Sequence, residues 1–218
     1  MAVKRNKSIV ISYKALRRLI GVLGMALPVV LILGGYLQPG NGILGSISSY
    51  YHSNMQDVFV GILWAVGLFL ISYKGYDSID NWVTNLSGLF AIGVALFPTI
   101  AHIDDTRPLG VFQLPPAISG TLHLAWAFLF FLLLAYNSYF LFTKTGTKIP
   151  GPQKLARNTI YRVCGIIIIA SLAGIVLYML FLQYTFLRHW APVLILETLA
   201  LWAFGFSWLV KGETLFRD

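Results

Sequence analysis

The chain has 218 residues, of which 57% are hydrophobic and 11% are charged, and its mean hydropathy is +0.75. Its apolar residues fall in long blocks, a pattern that is typical of polytopic membrane proteins and excludes an ordinary soluble domain. The net charge of +8 is concentrated between those blocks, so it predicts a membrane topology and no nucleic-acid partner. The single cysteine, Cys164, excludes a disulfide framework.

Six apolar blocks come close to or reach the length of about 20 residues that a bilayer-spanning helix needs. In chain order they cover residues 19–37, 58–73, 83–100, 117–142, 160–181 and 190–210. We therefore expect an all-α polytopic transmembrane bundle of six helices, forming a single domain over residues 1–218. Three prolines, Pro28, Pro98 and Pro192, are expected inside spans, and Pro98, near the end of the third, could kink it.

Small residues recur at helical spacing in the third predicted span. They are Ser87, Gly88, Ala91 and Ala95. Because small side chains let two helix backbones come close together, this pattern predicts tight packing against a neighbouring helix.

The positive charges predict the orientation of the bundle. With a cytoplasmic N-terminus, fourteen of the sixteen Lys and Arg residues fall on the cytoplasmic side, and only Arg107 and Arg188 lie outside. The positive-inside rule then places both termini in the cytoplasm. The basic N-terminus is read as the flank of a retained first span, since that span lacks a small-residue cleavage pattern. We expect a multi-pass protein of the cell membrane, specifically the bacterial inner membrane, with membrane lipids as its partners.

The stretch SISSYYHSNMQD, Ser46 to Asp57, combines hydroxyl groups, a histidine and an aspartate between two apolar blocks. The predicted orientation puts this stretch on the outer side. At 1.5 Å per residue, His123 and Glu197 lie roughly 9 and 10 Å below the same surface. We therefore predict an outer-side polar pocket with Ser48, Asp57, His123 and Glu197 as its catalytic candidates.

A metal site is a further possibility in this pocket. Its ligand candidates are His52, His102 and His123, assisted by an acid such as Asp57 or Glu197. These nitrogen and oxygen ligands suit zinc or another divalent metal, although their spacing matches no diagnostic motif.

Each candidate also has a purely structural interpretation. Asp57 can stabilise the start of a helix through the helix dipole, and His102 can belong to a solvated turn. A direct hydrogen bond between His123 and Glu197 could simply hold two helices together. Against this, an ionisable group inside a span costs roughly 2.5 to 3.5 kcal/mol and usually faces a partner or a cavity.

Three classes of function remain open from the residues. The outer pocket could bind or hydrolyse lipid with a metal or an acid–base pair, or it could be the mouth of a proton-coupled small-molecule transporter. The third class is a non-catalytic structural or interaction protein. Few polar residues continue toward the cytoplasm, namely Asn137, Ser138, Ser171 and Ser207, which favours a one-sided lipid site over a conduit. Whether the protein is an enzyme is left open.

Several strings carry a family resemblance: SISSYYHSNMQDVFVGILWAVGLFLISYKGYD, NLSGLFAIGVALFPT, LHLAWAFLFF, ARNTIYRVCG and ETLALWAFGFSWLVKG. From about Gly45 to Gly212 the chain resembles the six-span bacterial membrane family known as domain of unknown function 998. More distantly, it is similar to DRAM-like and GPI-remodelling six-span membrane proteins. These resemblances imply a fold and lipid handling, and they assign no reaction.

The segment SSYYH also resembles the first motif of the intramembrane zinc hydrolases that include alkaline ceramidases and adiponectin-receptor-like proteins. The matching residues are Ser48 and His52, in an S-x-x-x-H arrangement. That family implies seven spans and a later H-x-x-x-H pair, whereas this chain has six predicted spans and no such pair.

Overall fold

The computed structural model describes residues 7–37, 42–100, 108–145 and 151–213. They form six α-helices: α1 Lys7–Tyr36, α2 Gln56–Ser72, α3 Ser78–Leu96, α4 Pro116–Tyr136, α5 Pro152–Leu177 and α6 Pro192–Lys211. Wider π-helical turns continue α4 and α5, over Asn137–Leu141 and Tyr178–Leu182, and short 3-10 helices cover Ser48–His52 and Phe186–Trp190. No β-strand occurs in these ranges, so the predicted all-helical class is confirmed.

Four of these helices are long and apolar enough to cross a membrane. They cover Tyr13–Tyr36, Pro116–Leu141, Pro152–Leu182 and Pro192–Lys211. Helix α2 is equally apolar but has only 17 residues. The protein is therefore a multi-pass membrane protein with four candidate spans, and the membrane crossings of α2 and α3 stay predictions.

The helix boundaries differ from the prediction mainly at prolines. Helix α3 ends at Leu96 and caps at Phe97, so Pro98 causes no kink and the chain simply leaves the helix there. Pro192 is the first residue of α6. The N–H groups of the first helical turn have no acceptor within the helix, so a proline costs no hydrogen bond there. Only Pro28 lies inside its helix as predicted, in α1. Helices α1 and α5 also begin earlier than predicted, at Lys7 and Pro152.

The six helices pack as a ring in chain order, and α6 closes the ring against α1. Two close approaches rely on glycine. In one, Gly88 of α3 lies against the backbone of Gly67 in α2, as the small-residue pattern predicted. In the other, a Cβ atom on Gly205 would lie 2.7 Å from the carbonyl oxygen of Gly21, which holds α6 close to α1.

The bundle has two ends and an apolar middle. We call the end where α1 finishes and α6 begins the Ser48 end, and the end where α1 begins and α6 finishes the Lys211 end. Between them, the buried rings of Phe130 and Phe204 lie 6.3 Å apart, centroid to centroid, beside the buried Leu134. This middle layer separates two groups of polar side chains.

Candidate functional site

The stretch Ser46–Asp57 is packed into the Ser48 end of the bundle. Tyr50 is fully buried against Gly35 of α1, and Ile47 and Met55 are buried as well. The N–H of Leu194 in α6 donates to the carbonyl of Gly45 at 3.0 Å, which ties the stretch to the start of α6. Its polar side chains are therefore held at fixed positions relative to α4 and α6.

Ser48 and His123 form the centre of this site. The Ser48 Oγ lies 2.8 Å from His123 Nε2, and His123 Nδ1 lies 2.7 Å from the carbonyl oxygen of Phe97. Because a carbonyl only accepts, Nδ1 carries the proton, and Nε2 of the neutral ring accepts the Ser48 hydroxyl proton. The imidazole is 1% exposed, whereas Ser48 is half-buried. This is the arrangement of a nucleophile, a base and a group that orients the base.

Glu197 completes the cluster from α6. Its Oε2 accepts the backbone N–H of Ile47 at 2.6 Å, and its Oε1 lies 3.5 Å from Ser48 Oγ. The Ser48 hydroxyl has one proton, and the shorter distance directs it to His123. The sequence prediction that His123 and Glu197 share a depth agrees with this geometry, although Ser48 stands between them in place of a direct hydrogen bond.

The segment that follows α3 explains why two histidines lie here. Helix α3 ends before Pro98, which leaves backbone carbonyls without helical partners. Three consecutive carbonyls are bound by side chains: Phe97 by His123, Pro98 by Ser119 at 2.7 Å, and Thr99 by His52 at 2.6 Å. His123 therefore has a structural role as well as its contact with Ser48.

The other predicted site residues are not drawn into this cluster. His52 donates to Thr99 and packs against Tyr51, and Asp57 is exposed in the first turn of α2, where its charge suits the helix dipole. His102 lies outside the described residues. Within the described part of the chain, no group of three or more His, Cys, Asp or Glu side chains is placed to hold a metal ion. The metal site stays a prediction.

A second polar cluster, at the Lys211 end, was not predicted. Asp80 of α3 is 4% exposed, and its carboxylate accepts Lys144 Nζ at 2.5 Å and the N–H of Tyr76 at 2.9 Å. Lys144 also binds Asp77, the N-cap of α3, at 2.7 Å. The sequence did contain a signal for this cluster, namely two aspartates three residues apart at a helix start. The topology argument counted only Lys and Arg residues and so did not use it.

Lys211 and a layer of buried polar residues lie beside this ion pair. Lys211 is 7% exposed and, together with Asp80 and Asn137, lines a gap too narrow to hold a water molecule. Nearby, Ser138 and Ser207 are hydrogen-bonded at 2.9 Å. The few polar residues that the sequence placed toward this end are buried there, and Asp80 and Lys211 add to them.

Comparisons with known proteins give no matching family model, no matching curated protein and no matching solved structure. The function of the chain is therefore inferred from the geometry of its two polar clusters. Of the two, the cluster at the Ser48 end holds a hydroxyl on an oriented imidazole, which is the more specific chemical arrangement.

Proposed function

We propose that the Ser48 end is a hydrolytic site at which Ser48 attacks an ester or amide of a membrane lipid. The observation that carries this proposal is the 2.8 Å contact between Ser48 Oγ and His123 Nε2, on a ring whose Nδ1–H is fixed by Phe97. A serine hydroxyl is a weak nucleophile on its own, and a neighbouring oriented base activates it.

The chemistry needs only these side chains and water. As Ser48 Oγ bonds to the acyl carbon, its proton moves to His123 Nε2, and the imidazolium then gives that proton to the leaving alcohol or amine. Water next attacks the acyl-serine while His123 takes its proton. The bond between the acyl carbon and Ser48 Oγ then breaks, His123 returns the proton to Ser48, and a fatty acid is released. The Phe97 carbonyl keeps the imidazole in the required tautomer throughout.

Glu197 supports this chemistry by positioning the nucleophile. Its Oε2 holds the N–H of Ile47, the residue before Ser48, so the carboxylate fixes the turn that presents the hydroxyl. Its Oε1, 3.5 Å from Ser48 Oγ, also favours positive charge on the imidazole during the reaction.

A lipid substrate follows from where the site lies. Ser48 is half-buried at one end of a bundle whose helices include four long and apolar enough to cross a membrane. We propose that this end faces the extracytoplasmic side, as the positive-inside rule predicts. A cysteine placed at Ser53 in a Cys164→Ala background should then react with an impermeant reagent added outside cells, and labelling only from the cytoplasm would reverse the orientation.

A fluorophosphonate probe tests the nucleophile directly. The full-length protein in detergent should form a covalent adduct at Ser48, detected by intact and peptide mass spectrometry. We expect Ser48→Ala and His123→Gln to lose at least 99% of the labelling, because the adduct needs both the hydroxyl and the base. Ser49→Ala is the matched control, since Ser49 lies next to Ser48 but bonds to Ser46 at 2.6 Å.

Two results would contradict the hydrolytic site. One is a wild-type protein that resists the probe while remaining folded by its tryptophan fluorescence. The other is labelling that persists in Ser48→Ala, which would place the reactive hydroxyl elsewhere.

Proton-coupled transport is the second candidate, and the buried polar layer at the Lys211 end favours it. Ser48 links Glu197 to His123, so a proton could pass between them through the hydroxyl. A continuous proton path between the two ends is disfavoured, because the buried Phe130 lies midway in sequence between His123 and Asn137. Liposomes that hold the protein and a pH-sensitive dye separate the candidates: a proton flux that Glu197→Gln abolishes and Ser48→Ala preserves would support transport over hydrolysis.

A further inference from the structure

The connection between α5 and α6, at the Ser48 end, exposes large aromatic side chains outside the spans. It runs over residues 183–191, between the candidate span that ends at Leu182 and the start of α6 at Pro192. Tyr184 is 90% exposed, Phe186 74% and Trp190 70%. A group of large apolar side chains that no protein group covers marks a surface that meets a partner or a membrane.

Hydrogen bonds within this connection bind its polar backbone groups. The Thr185 Oγ1 donates to the carbonyl of Leu182 at 2.6 Å, and the N–H of Arg188 donates to the carbonyl of Thr185 at 3.3 Å. The ring of His189 donates from Nδ1 to the carbonyl of Phe186 at 3.1 Å. A segment in the poorly hydrated zone of a bilayer needs such internal bonds, because little water is present there to bind the backbone.

A second connection at the same end, between α3 and α4, ends in an apolar turn. Leu109 and Leu114 bond to each other in both directions, at 2.8 and 3.0 Å, and close the turn. Val111 and Phe112 at its tip are both more than half exposed. The ring of Phe112 stacks on that of Phe97 with 5.4 Å between centroids, which holds the turn against the end of α3.

These exposed side chains continue the lipid-facing surface of the spans. We call them the apolar rim: Val111, Phe112, Tyr184, Phe186 and Trp190. The rim follows Leu180 and Phe181, which are exposed in the candidate span Pro152–Leu182. It also adjoins Ile118 in the first turn of α4 and Ile195 in that of α6, both exposed. Because exposed apolar side chains of a span contact lipid tails, the rim lies where this surface leaves the hydrocarbon.

The chemistry of the rim suits the headgroup level of a bilayer. Rings of Trp and Tyr concentrate at that depth, where one part of the side chain is apolar and another is hydrated. No acidic residue occurs in residues 108–122 or 178–196, whereas Arg188 and His189 lie among the aromatic side chains. The sequence around the rim therefore adds no carboxylate that would repel lipid phosphates, and the exposed Arg188 attracts them.

We propose that the apolar rim inserts into the headgroup region of the leaflet at the Ser48 end, so that the lipid bilayer surface is its partner. The two inserted connections fix the depth of this end of the bundle. Lipid ester groups lie just beneath the headgroups, so the insertion brings them toward the half-buried Ser48 at the same end. The insertion does not depend on hydrolysis at Ser48, and it holds equally for a Ser48→Ala protein.

Fluorescent labels on single cysteines test the insertion. The full-length protein in a Cys164→Ala background carries Phe112→Cys, Phe186→Cys or Trp190→Cys, is labelled with nitrobenzoxadiazole, and is placed in phosphatidylcholine nanodiscs. A phosphatidylcholine with a doxyl group near its headgroup quenches labels that contact lipid, and iodide quenches labels that contact water.

The matched control is Gln56→Cys, in the same background. Gln56 is an exposed polar residue beside the exposed Asp57, in the first turn of α2 at the same end. We expect doxyl lipid to quench the three rim labels about threefold more strongly than the control label, and iodide to quench them about threefold less.

The remaining outcomes overturn the proposal. A label on either connection that both quenchers treat like the Gln56→Cys label would show that this part of the rim faces water. Rim labels that are protected from both quenchers would show that protein, such as a second copy of the chain, covers the rim in place of lipid. If Trp190→Cys does not fold, Phe112→Cys and Phe186→Cys decide by the same criteria.

Discussion

At the Ser48 end, the clustered polar side chains are satisfied by one another and by backbone groups, whereas at the Lys211 end the buried Lys211 and the partly buried Arg17 form no ion pair with a described carboxylate. Ser48 lies 2.8 Å from His123, His123 binds the Phe97 carbonyl at 2.7 Å, and Glu197 accepts the N–H of Ile47 at 2.6 Å. Lys211 instead faces the rings of Tyr76 and Phe142.

This difference shows that buried polar groups have two different physical effects in one bundle. Closed hydrogen-bonding networks fix side chains in one geometry, which suits chemistry that depends on distances of a few tenths of an ångström. A buried ammonium that faces aromatic rings and no described carboxylate instead carries a desolvation cost. Loss of a hydrogen-bonded or ion-paired group should therefore lower stability, whereas loss of the Lys211 charge should not.

The largest loss of stability is expected from His123→Leu at the Ser48 end. The substitution leaves the Phe97 carbonyl and the Ser48 hydroxyl without their partner, and each unsatisfied buried group costs about 1 to 3 kcal/mol. We expect a loss of about 2 kcal/mol in unfolding free energy, measured by SDS titration in mixed micelles. Thr121→Val is the control on the same helix, because exposed Thr121 binds only the carbonyl of Ala117. Equal losses in the two variants would contradict the closed network.

Asp80→Asn should cost less, about 1 to 2 kcal/mol, by the same measurement. The variant loses the charge that pairs with Lys144, and this lysine is one third exposed (33%), so the loss stays below the 3 to 5 kcal/mol of a fully buried pair. Asp77→Asn is the control, since Asp77 also binds Lys144 but is half exposed (49%). It should lose much less stability than Asp80→Asn. The reverse order would show that the exposed Asp77–Lys144 contact contributes more to stability than the Asp80–Lys144 contact does.

Lys211→Met should leave stability unchanged or raise it by about 1 kcal/mol in a phosphate-free, non-ionic detergent. The substitution removes a buried charge that lacks a carboxylate partner and keeps most of the apolar stem. A loss of 2 kcal/mol or more in detergent would show that neighbouring protein groups already compensate the ammonium.

The smallest effect concerns acid and the exposed contact between Asp77 and Lys144. The hydrogen bond from Lys144 lowers the pKa of Asp77 below its usual value of 3.8. Because the folded-state pKa is lower, this contribution to stability is complete above about pH 3.8 and disappears as the pH falls through the folded value. The unfolding midpoint of Asp77→Asn should therefore fall less steeply than that of the wild type below that pH. Parallel plots of unfolding midpoint against pH for the two proteins would show that the Asp77–Lys144 contact does not persist in solution.

Part of the Ser48 cluster could be predicted from the sequence, and part could not. Depth along a helix follows from residue counting, so the common level of His123 and Glu197 was accessible. The S-x-x-x-H spacing was misleading, because it puts two side chains on one face only in an α-helix. Ser48–His52 is a 3-10 helix with three residues per turn, which rotates His52 by about 120° from Ser48 and directs it to Thr99.

The Lys211 cluster escaped prediction for a different reason. A count of Lys and Arg residues treats each as a solvated charge near a membrane surface, and that holds for Lys74 but not for Lys211. The burial of Lys211 depends on α1, which sets Arg17 against the end of α6, and on the aromatic side chains around its stem. No local pattern encodes that arrangement, since Arg17 and Lys211 lie at opposite ends of the chain.

The sequence by itself determined the membrane-protein class, the helical architecture and the concentration of ionisable groups near the helix ends, because hydrophobic block length and the cost of burying charge are properties of the chain. Only the tertiary structure decided which ionisable groups meet. Ser48 reaches His123 because the stretch Ser46–Asp57 packs into the bundle and α3 ends at Leu96, which frees the Phe97 carbonyl that orients the ring. Such pairings depend on the packing of helices distant in sequence, and their energies follow from distances that a linear pattern does not contain.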